Sequence, residues 1–138
     1  VRVKDGVRYY NDSIASSPSR TIAGLRSFPE KVILIAGGYD KHIPYEVLGP
    51  EICTHVKKLF LGGATGPKIR AAVENAPEYL PGMPEIVDCG DFTQATLAAA
   101  QAAEPGDVVL MSPASAAFDQ FKNFMVRGQY FKKLVKEL

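Results

Sequence analysis

The sequence predicts a single α/β domain, built on a mostly parallel sheet with helices on both faces. Three observations predict it. Strand-like segments alternate with helical segments of about 10–15 residues, which is the βαβ signature. Two of the strands, KVILIA at 31–36 and DVVLM at 107–111, are nearly continuous apolar runs, as in strands buried on both faces. The chain has 138 residues, 46% hydrophobic and 22% charged, which fits one domain with a true core and excludes a disordered chain or a coiled coil.

The elements follow in order. Val1–Val3 and Val7–Tyr10 flank the turn-like Lys4-Asp5-Gly6 and form a hairpin or strand pair. Ser19–Phe28, after Pro18, carries Thr21, Ile22, Leu25 and Phe28 at helical spacing. The strand Lys31–Ala36 comes next. Tyr45–Val56 is helical, and Gly49-Pro50 is expected to break or restart it. Lys58–Leu61 is a short strand. Gly66–Asn75 is a helix with Pro67 in its first turn. A loop rich in Pro and Gly precedes the strand Ile86–Cys89. Asp91–Ala103 is an Ala-rich helix started by Asp91 or Thr93 and stopped by Glu104-Pro105-Gly106. Asp107–Met111 is the last strand. Phe118–Leu138 is a terminal helix, either tolerating Gly128 or interrupted there. Phe118, Phe121, Phe124 and Met125 read as its core-facing stripe.

Composition excludes several classes of function. Lys and Arg total 16 against 15 Asp and Glu, a net charge of +1, so no strong positive field is available for nucleic acid. No apolar run approaches the roughly 18 residues that span a bilayer, so no membrane partner is expected. The opening VRVKDGVRYY has charges where a signal peptide needs an apolar stretch. It also lacks an initiator Met, so the chain is expected to be a fragment of something longer. Cys53 and Cys89 are the only cysteines and are expected to be reduced and structural. His42 and His55 are too few and too isolated for a metal site or a catalytic triad.

In a parallel sheet, ligands bind beyond the carboxyl ends of the strands. Three such ends are polar or rich in small residues. Asn11–Pro18 (NDSIASSP) precedes the first helix, as a plain capping loop or as an anion site on backbone N–H groups. Gly37-Gly38-Tyr39-Asp40-Lys41-His42 follows KVILIA, with Lys41 placing a cation at the rim. Ser112–Ala117 (SPASAA) follows DVVLM and leaves room for a ligand. Gly62–Lys68 (GGATGPK) looks like a phosphate loop, but Pro67 separates Gly66 from Lys68, so it reads as a strand-to-helix turn.

Taken together, YYNDSIASSPSRTIAGL, LIAGGYDKHIPY and VLMSPASAAFDQFKNFMVRGQYF, in that order, resemble the C-terminal domain of the Mur ligases. The likeness runs over essentially all of the chain and is strongest to the D-glutamate-adding members. It implies a Rossmann-like, amino-acid-binding domain spanning 1–138, cut from a three-domain cytoplasmic enzyme. It also implies a role in peptidoglycan synthesis, and so in cell-wall growth, cell shape and division. In that family the N-terminal domain holds the UDP-sugar. The central domain carries the P-loop for ATP and Mg²⁺. The reaction joins D-glutamate to UDP-N-acetylmuramoyl-L-alanine through an acyl phosphate, since a carboxylate is a poor electrophile until its oxygen becomes a good leaving group. Domain closure would exclude water from that intermediate. The partners implied are D-glutamate and the enzyme's own two other domains, and the fragment alone is expected to be inactive.

The resemblance also assigns residues. Asp12 stands where the family contacts the nucleotide ribose. Ser16 stands where a Thr hydroxyl contacts D-glutamate, and Lys41 where a Lys pairs with its carboxylate. Phe124 matches a Phe lining the amino-acid site. Ala117 matches a Ser that binds D-glutamate. It lacks the hydroxyl, and Ser115 is the neighbour able to substitute. Ile14 replaces a usual Lys, Ser17 an Asn, Tyr39 an Asp and Asp40 a Gly. No residue is assigned a catalytic or metal-ligating role. The alternative is a free-standing, non-catalytic module that binds a nucleotide or small anion, in line with the absent P-loop. An oxidoreductase domain is disfavoured because no GxGxxG follows the first strand.

Overall fold

The computed structural model describes residues 2–39, 44–82, 84–115, 121 and 123–138. The strands are β1 (Arg2–Lys4), β2 (Val7–Asn11), β3 (Val32–Ala36), β4 (Val56–Leu61), β5 (Glu85–Asp88) and β6 (Val108–Met111). The helices are α1 (Pro18–Leu25), α2 (Leu48–His55), α3 (Gly66–Glu74), α4 (Phe92–Ala102) and α5 (Phe124–Lys136). The strands form one sheet in the order β1-β2-β6-β3-β4-β5. β1 pairs antiparallel with β2 through a tight turn with Asp5 and Gly6 at positive φ, and all other pairs are parallel.

The doubly apolar strands are buried on both faces, as their sequences require. Val32, Leu34, Leu59, Leu61, Val108 and Leu110 face one core with Leu25 of α1, Leu48 and Ile52 of α2, and Ile69 and Val73 of α3. Ile33, Ile35, Phe60, Val109 and Met111 face the other with Ala95 and Ala99 of α4 and Phe131 and Val135 of α5. Three helices therefore cover one face and two the other. No helix among the described residues is long and apolar enough to cross a membrane. Both thiols are free, and burial pushes each above its ordinary range, which suits a packing role.

Three sequence expectations are corrected. Gly49-Pro50 does not interrupt α2, because that helix begins only at Leu48 and both residues fall in its first turn. Backbone N–H groups there have no intrahelical acceptor, so a proline removes nothing. Val56 belongs to β4, not to the helix. β4 is longer than expected and contains a bulge, since Val32 pairs with Val56 but Ile33 with Lys58. The terminal helix starts at Phe124 rather than near 118. Asn123 is extended and caps it by accepting a hydrogen bond from the Val126 N–H at 2.9 Å. Gly128 is tolerated inside it. The late start rotates the buried stripe. Phe124 and Met125 lie exposed, and Arg127, Gly128, Phe131 and Val135 face inward. Phe121 packs edge-on against Phe92 before the helix begins, and Phe118 lies outside the described residues.

α2 and α3 approach each other closely at Gly49. A Cβ built there would sit 2.2 Å from the Ala72 carbonyl oxygen. Helix propensity alone favours Ala over Gly by about 1 kcal/mol. At this position the clash must push two helices apart. Gly49→Ala is therefore expected to destabilise the domain by about 1–3 kcal/mol, read as a lowered midpoint in urea unfolding. A raised midpoint would show that the helices yield freely.

Candidate functional site

The last strand in sequence, β6, is inserted between β2 and β3. The chain leaves β2 and β3 towards helices on one face and β6 towards α5 on the other. At such a divergence, the carboxyl ends of the strands are where sheets of this kind form a crevice and bind ligands.

Backbone hydrogen bonds knit the three loops together. The Asp12 N–H donates to Met111 at 2.8 Å, Ser112 to Ile35 at 3.1 Å, and Gly37 to Pro113 at 2.9 Å. Gly37 has φ 110°, and a Cβ there would lie 2.0 Å from the Gly62 carbonyl oxygen, so only glycine fits this turn. Ala114 is buried at φ 58°, a strained conformation for a residue with a Cβ, in the loop after β6.

Side chains extend the network. Ser112 Oγ donates to Asp12 Oδ2 at 2.8 Å and lies 3.0 Å from Thr21 Oγ1. Ser115 Oγ lies 2.9 Å from the Tyr45 hydroxyl and 2.7 Å from Thr65 Oγ1, which accepts from the Gly38 N–H at 2.9 Å. The turn that resembled a phosphate loop thus uses Thr65 to brace the loop after β3. Arg127, 1% exposed, donates through Nε to Ser13 Oγ at 2.9 Å, through Nη2 to the Ser13 carbonyl at 2.6 Å and through Nη1 to the Ser115 carbonyl at 2.8 Å. Ser13 Oγ in turn donates to the Phe124 carbonyl at 2.7 Å.

Four of the six sequence-assigned residues are described, on the loops after β2 and β6 and at the start of α5. Asp12 is half-buried, with its carboxylate accepting from Ser112. Ser16 sits half-buried on the loop into α1. Phe124 stands exposed at the start of α5, beside exposed Ile14. Ser115 is fully buried, with its hydroxyl held by Tyr45 and Thr65, so it reaches a ligand only by giving up one of them. Lys41 and Ala117 lie outside the described residues. A cleft of about 300 Å³ runs between Asn11, Ser13, Ile14, Phe124, Gly128 and Lys132. Another, of about 580 Å³, is lined by Tyr10, Asp12, Gly24, Phe28 and Glu30. A cavity of about 470 Å³ between α2 and α3 lies behind Tyr45 and carries none of the assigned residues.

Sequence reading missed Ser13, Tyr45, Thr65, Ser112 and Arg127. One signal was available for Arg127. It precedes Phe131 and Val135 at steps of four, which places it on the apolar stripe of α5. Among the described residues no group of three His, Cys, Asp or Glu side chains could hold a metal ion.

Burial pushes the Asp12 carboxyl above its ordinary range, while the Ser112 hydroxyl and the positive charge of Arg20 pull it partly back. A carboxyl raised on folding stabilises the fold fully only below its unfolded pKa, and that contribution is lost as pH rises through the folded value. Asp12→Asn is therefore expected to raise the melting temperature at pH 7. The gain should shrink towards pH 3, where the wild-type carboxyl is also neutral. Equal melting temperatures at pH 7 would remove the desolvation argument.

Comparison with known proteins agrees with this geometry. The family model described as "Mur ligase, glutamate ligase domain" matches residues 1–115. Proteins named UDP-N-acetylmuramoylalanine--D-glutamate ligase are similar along the whole chain. The relative from Acetivibrio thermocellus is 53% identical over 140 residues, that from Clostridium beijerinckii 51% over 138, and that from Clostridium perfringens 48% over 139. In each case the match covers 100% of this chain and 30% of the relative, so the chain spans under a third of their length. A solved domain assigned to a UDP-N-acetylmuramate:L-alanyl-gamma-D-glutamyl-medo-diaminopimelate ligase of Haemophilus ducreyi has a similar fold. Its TM-score is 0.59 at 12% identity, covering 96% of this chain and 95% of that one. The strand order, the crevice and a family match over most of its length lead to one assignment: the chain belongs to the Mur ligase family, as its glutamate ligase domain.

Proposed function

We propose that this chain is the amino-acid-binding C-terminal domain of a three-domain, cytoplasmic, ATP-dependent ligase. The reaction joins D-glutamate to UDP-N-acetylmuramoyl-L-alanine during peptidoglycan synthesis. The observation that supports this reading is that the segments carrying Asp12, Ser16, Ser115 and Phe124, at the carboxyl ends of β2 and β6 and the start of α5, are tied together through Ser112 and Arg127. The names of relatives about 50% identical along the whole chain support it.

The chemistry divides between this domain and the rest of the enzyme. ATP and Mg²⁺ would be held mainly by the P-loop domain, where transfer of the γ-phosphoryl group would convert the substrate carboxylate to an acyl phosphate and release ADP. This domain would deliver the amine of D-glutamate, which displaces inorganic phosphate and loses a proton as the amide forms. Lys41 holds a D-glutamate carboxylate from the loop after β3, as a compact point charge. Ser16 supplies a hydroxyl from the loop after β2. Phe124 gives an apolar side, and Ala117, lacking a hydroxyl, meets D-glutamate through its backbone. Ser115 anchors that loop from beneath. Asp12 accepts from the ribose of the nucleotide at the seam with the neighbouring domain. Holding the amine within attacking distance of the acyl phosphate converts a bimolecular step into an intramolecular one.

The test uses the full-length ligase carrying this domain, assayed for ADP release that depends on D-glutamate. Activity with another amino acid in its place would refute the substrate assignment. Lys41→Ala is expected to raise KM for D-glutamate by about tenfold or more, the loss of one charge-assisted contact, with a smaller change in kcat. An unchanged KM would make Lys41 a solvated lysine.

A further inference from the structure

We propose that Arg127 is a positioning residue that sets the width of the amino-acid crevice, an inference that rests on the function proposed above. Three pieces of chain at the crevice meet at Arg127: the loop after β2, the start of the loop after β6 and the first turn of α5. Arg127 is the side chain that touches the first two while belonging to the third. Its Nε and Nη2 take the Ser13 hydroxyl and carbonyl, and its Nη1 takes the Ser115 carbonyl. Ser13 closes the triangle by donating to Phe124 at the helix start. Asp12 and Ser16 flank Ser13 in sequence, and Phe124 lies one turn before Arg127.

The planar guanidinium makes this a ruler. Its N–H groups leave in fixed directions, so the two loops are held at one separation and one relative rotation. A lysine at the same place keeps the charge but presents a single nitrogen on a flexible stem. It cannot serve Ser13 and Ser115 together in the same geometry. Burial at 1% exposure excludes water as a substitute donor. Gly128 adds to the constraint, because a Cβ there would lie 2.9 Å from Asn11 Nδ2 and so keeps α5 close against the end of β2. Arg127 acts through these loops and does not touch the substrate.

The experiment is Arg127→Lys in the full-length ligase, with Ser13→Ala as a second variant that removes one acceptor and leaves the guanidinium in place. Folding is checked first by melting temperature. In folded Arg127→Lys, KM for D-glutamate is expected to rise by about tenfold, with KM for the UDP-linked substrate within twofold of wild type. Ser13→Ala is expected to shift it in the same direction by less. A D-glutamate KM within twofold of wild type in both folded variants overturns the proposal. Hydrogen exchange gives a readout that survives if the assigned reaction is wrong. Peptides covering 11–17 and 112–115 should exchange faster together in either variant, while those covering β3 and β4 stay as in wild type. Acceleration across the whole domain would make Arg127 a general structural residue and overturn the proposal. Wild-type enzyme with no D-glutamate-dependent ADP release would instead refute the functional reading, and the exchange data would still decide the clasp.

Discussion

A buried guanidinium holds the carboxyl end of this sheet together. Taking a charge out of water costs several kcal/mol unless polar partners replace the lost solvent. Arg127 meets that demand with hydrogen bonds to two oxygens of Ser13 and one of Ser115. The chain therefore cannot relax either loop without exposing an expensive group. That is why loops with no secondary structure of their own can have defined positions. The network continues from Ser115 to Thr65 and Tyr45, and from Thr65 to the Gly38 amide, so the chain just after β3 is held at Gly38 through the same contacts.

Topology gives this interaction its reach. β6 is the last strand in the chain, yet it lies between β2 and β3. The crevice does not exist until β6 is inserted, and its walls are not locked until α5 docks. The loops after β2 and β6 thus depend on contacts between residues about a hundred positions apart, such as Ser112 with Asp12 and Arg127 with Ser13. A substitution that loosens α5 acts on a loop contributed by the first twenty residues.

Much of the fold was legible in the sequence because burial leaves a periodic trace. KVILIA and DVVLM can be satisfied only by strands covered on both faces, and Asp91 could be read as a cap from its place before an Ala-rich run. Errors arose where local signals compete with tertiary packing. Phe118, Phe121, Phe124 and Met125 form a plausible helical stripe. The Asn123 cap starts the helix later and turns Arg127, Phe131 and Val135 inward instead. Arg127 was overlooked because arginine counts as a surface residue in any periodicity reading. The strand-end rule pointed to the loops after β2 and β6, and the structure does place Asp12 and Ser16 in the first of them and Ser115 in the second. The roles of Ser13, Ser112 and Thr65 were not legible, since a hydroxyl in a loop carries no pattern that distinguishes a network member from a solvated side chain.

The site also departs from what stability alone would select, and the departures share one location. Asp12 keeps a carboxyl where burial disfavours its charge. Ala114 occupies a backbone conformation suited to glycine, and Gly37 sits where any side chain would strike Gly62. Each of these costs the folded state something, and each lies in a loop at the carboxyl ends of β2, β6 or β3. β3 and β6 beneath show no such compromise, their residues being apolar and buried throughout. These features stand at the rim of a well-packed sheet, which is stable enough to hold them there. The exposed apolar side chains Ile14, Phe124 and Met125 at the same rim fit this logic. Left in water they contribute nothing to the isolated fold, and they gain apolar contact only when something occupies the crevice.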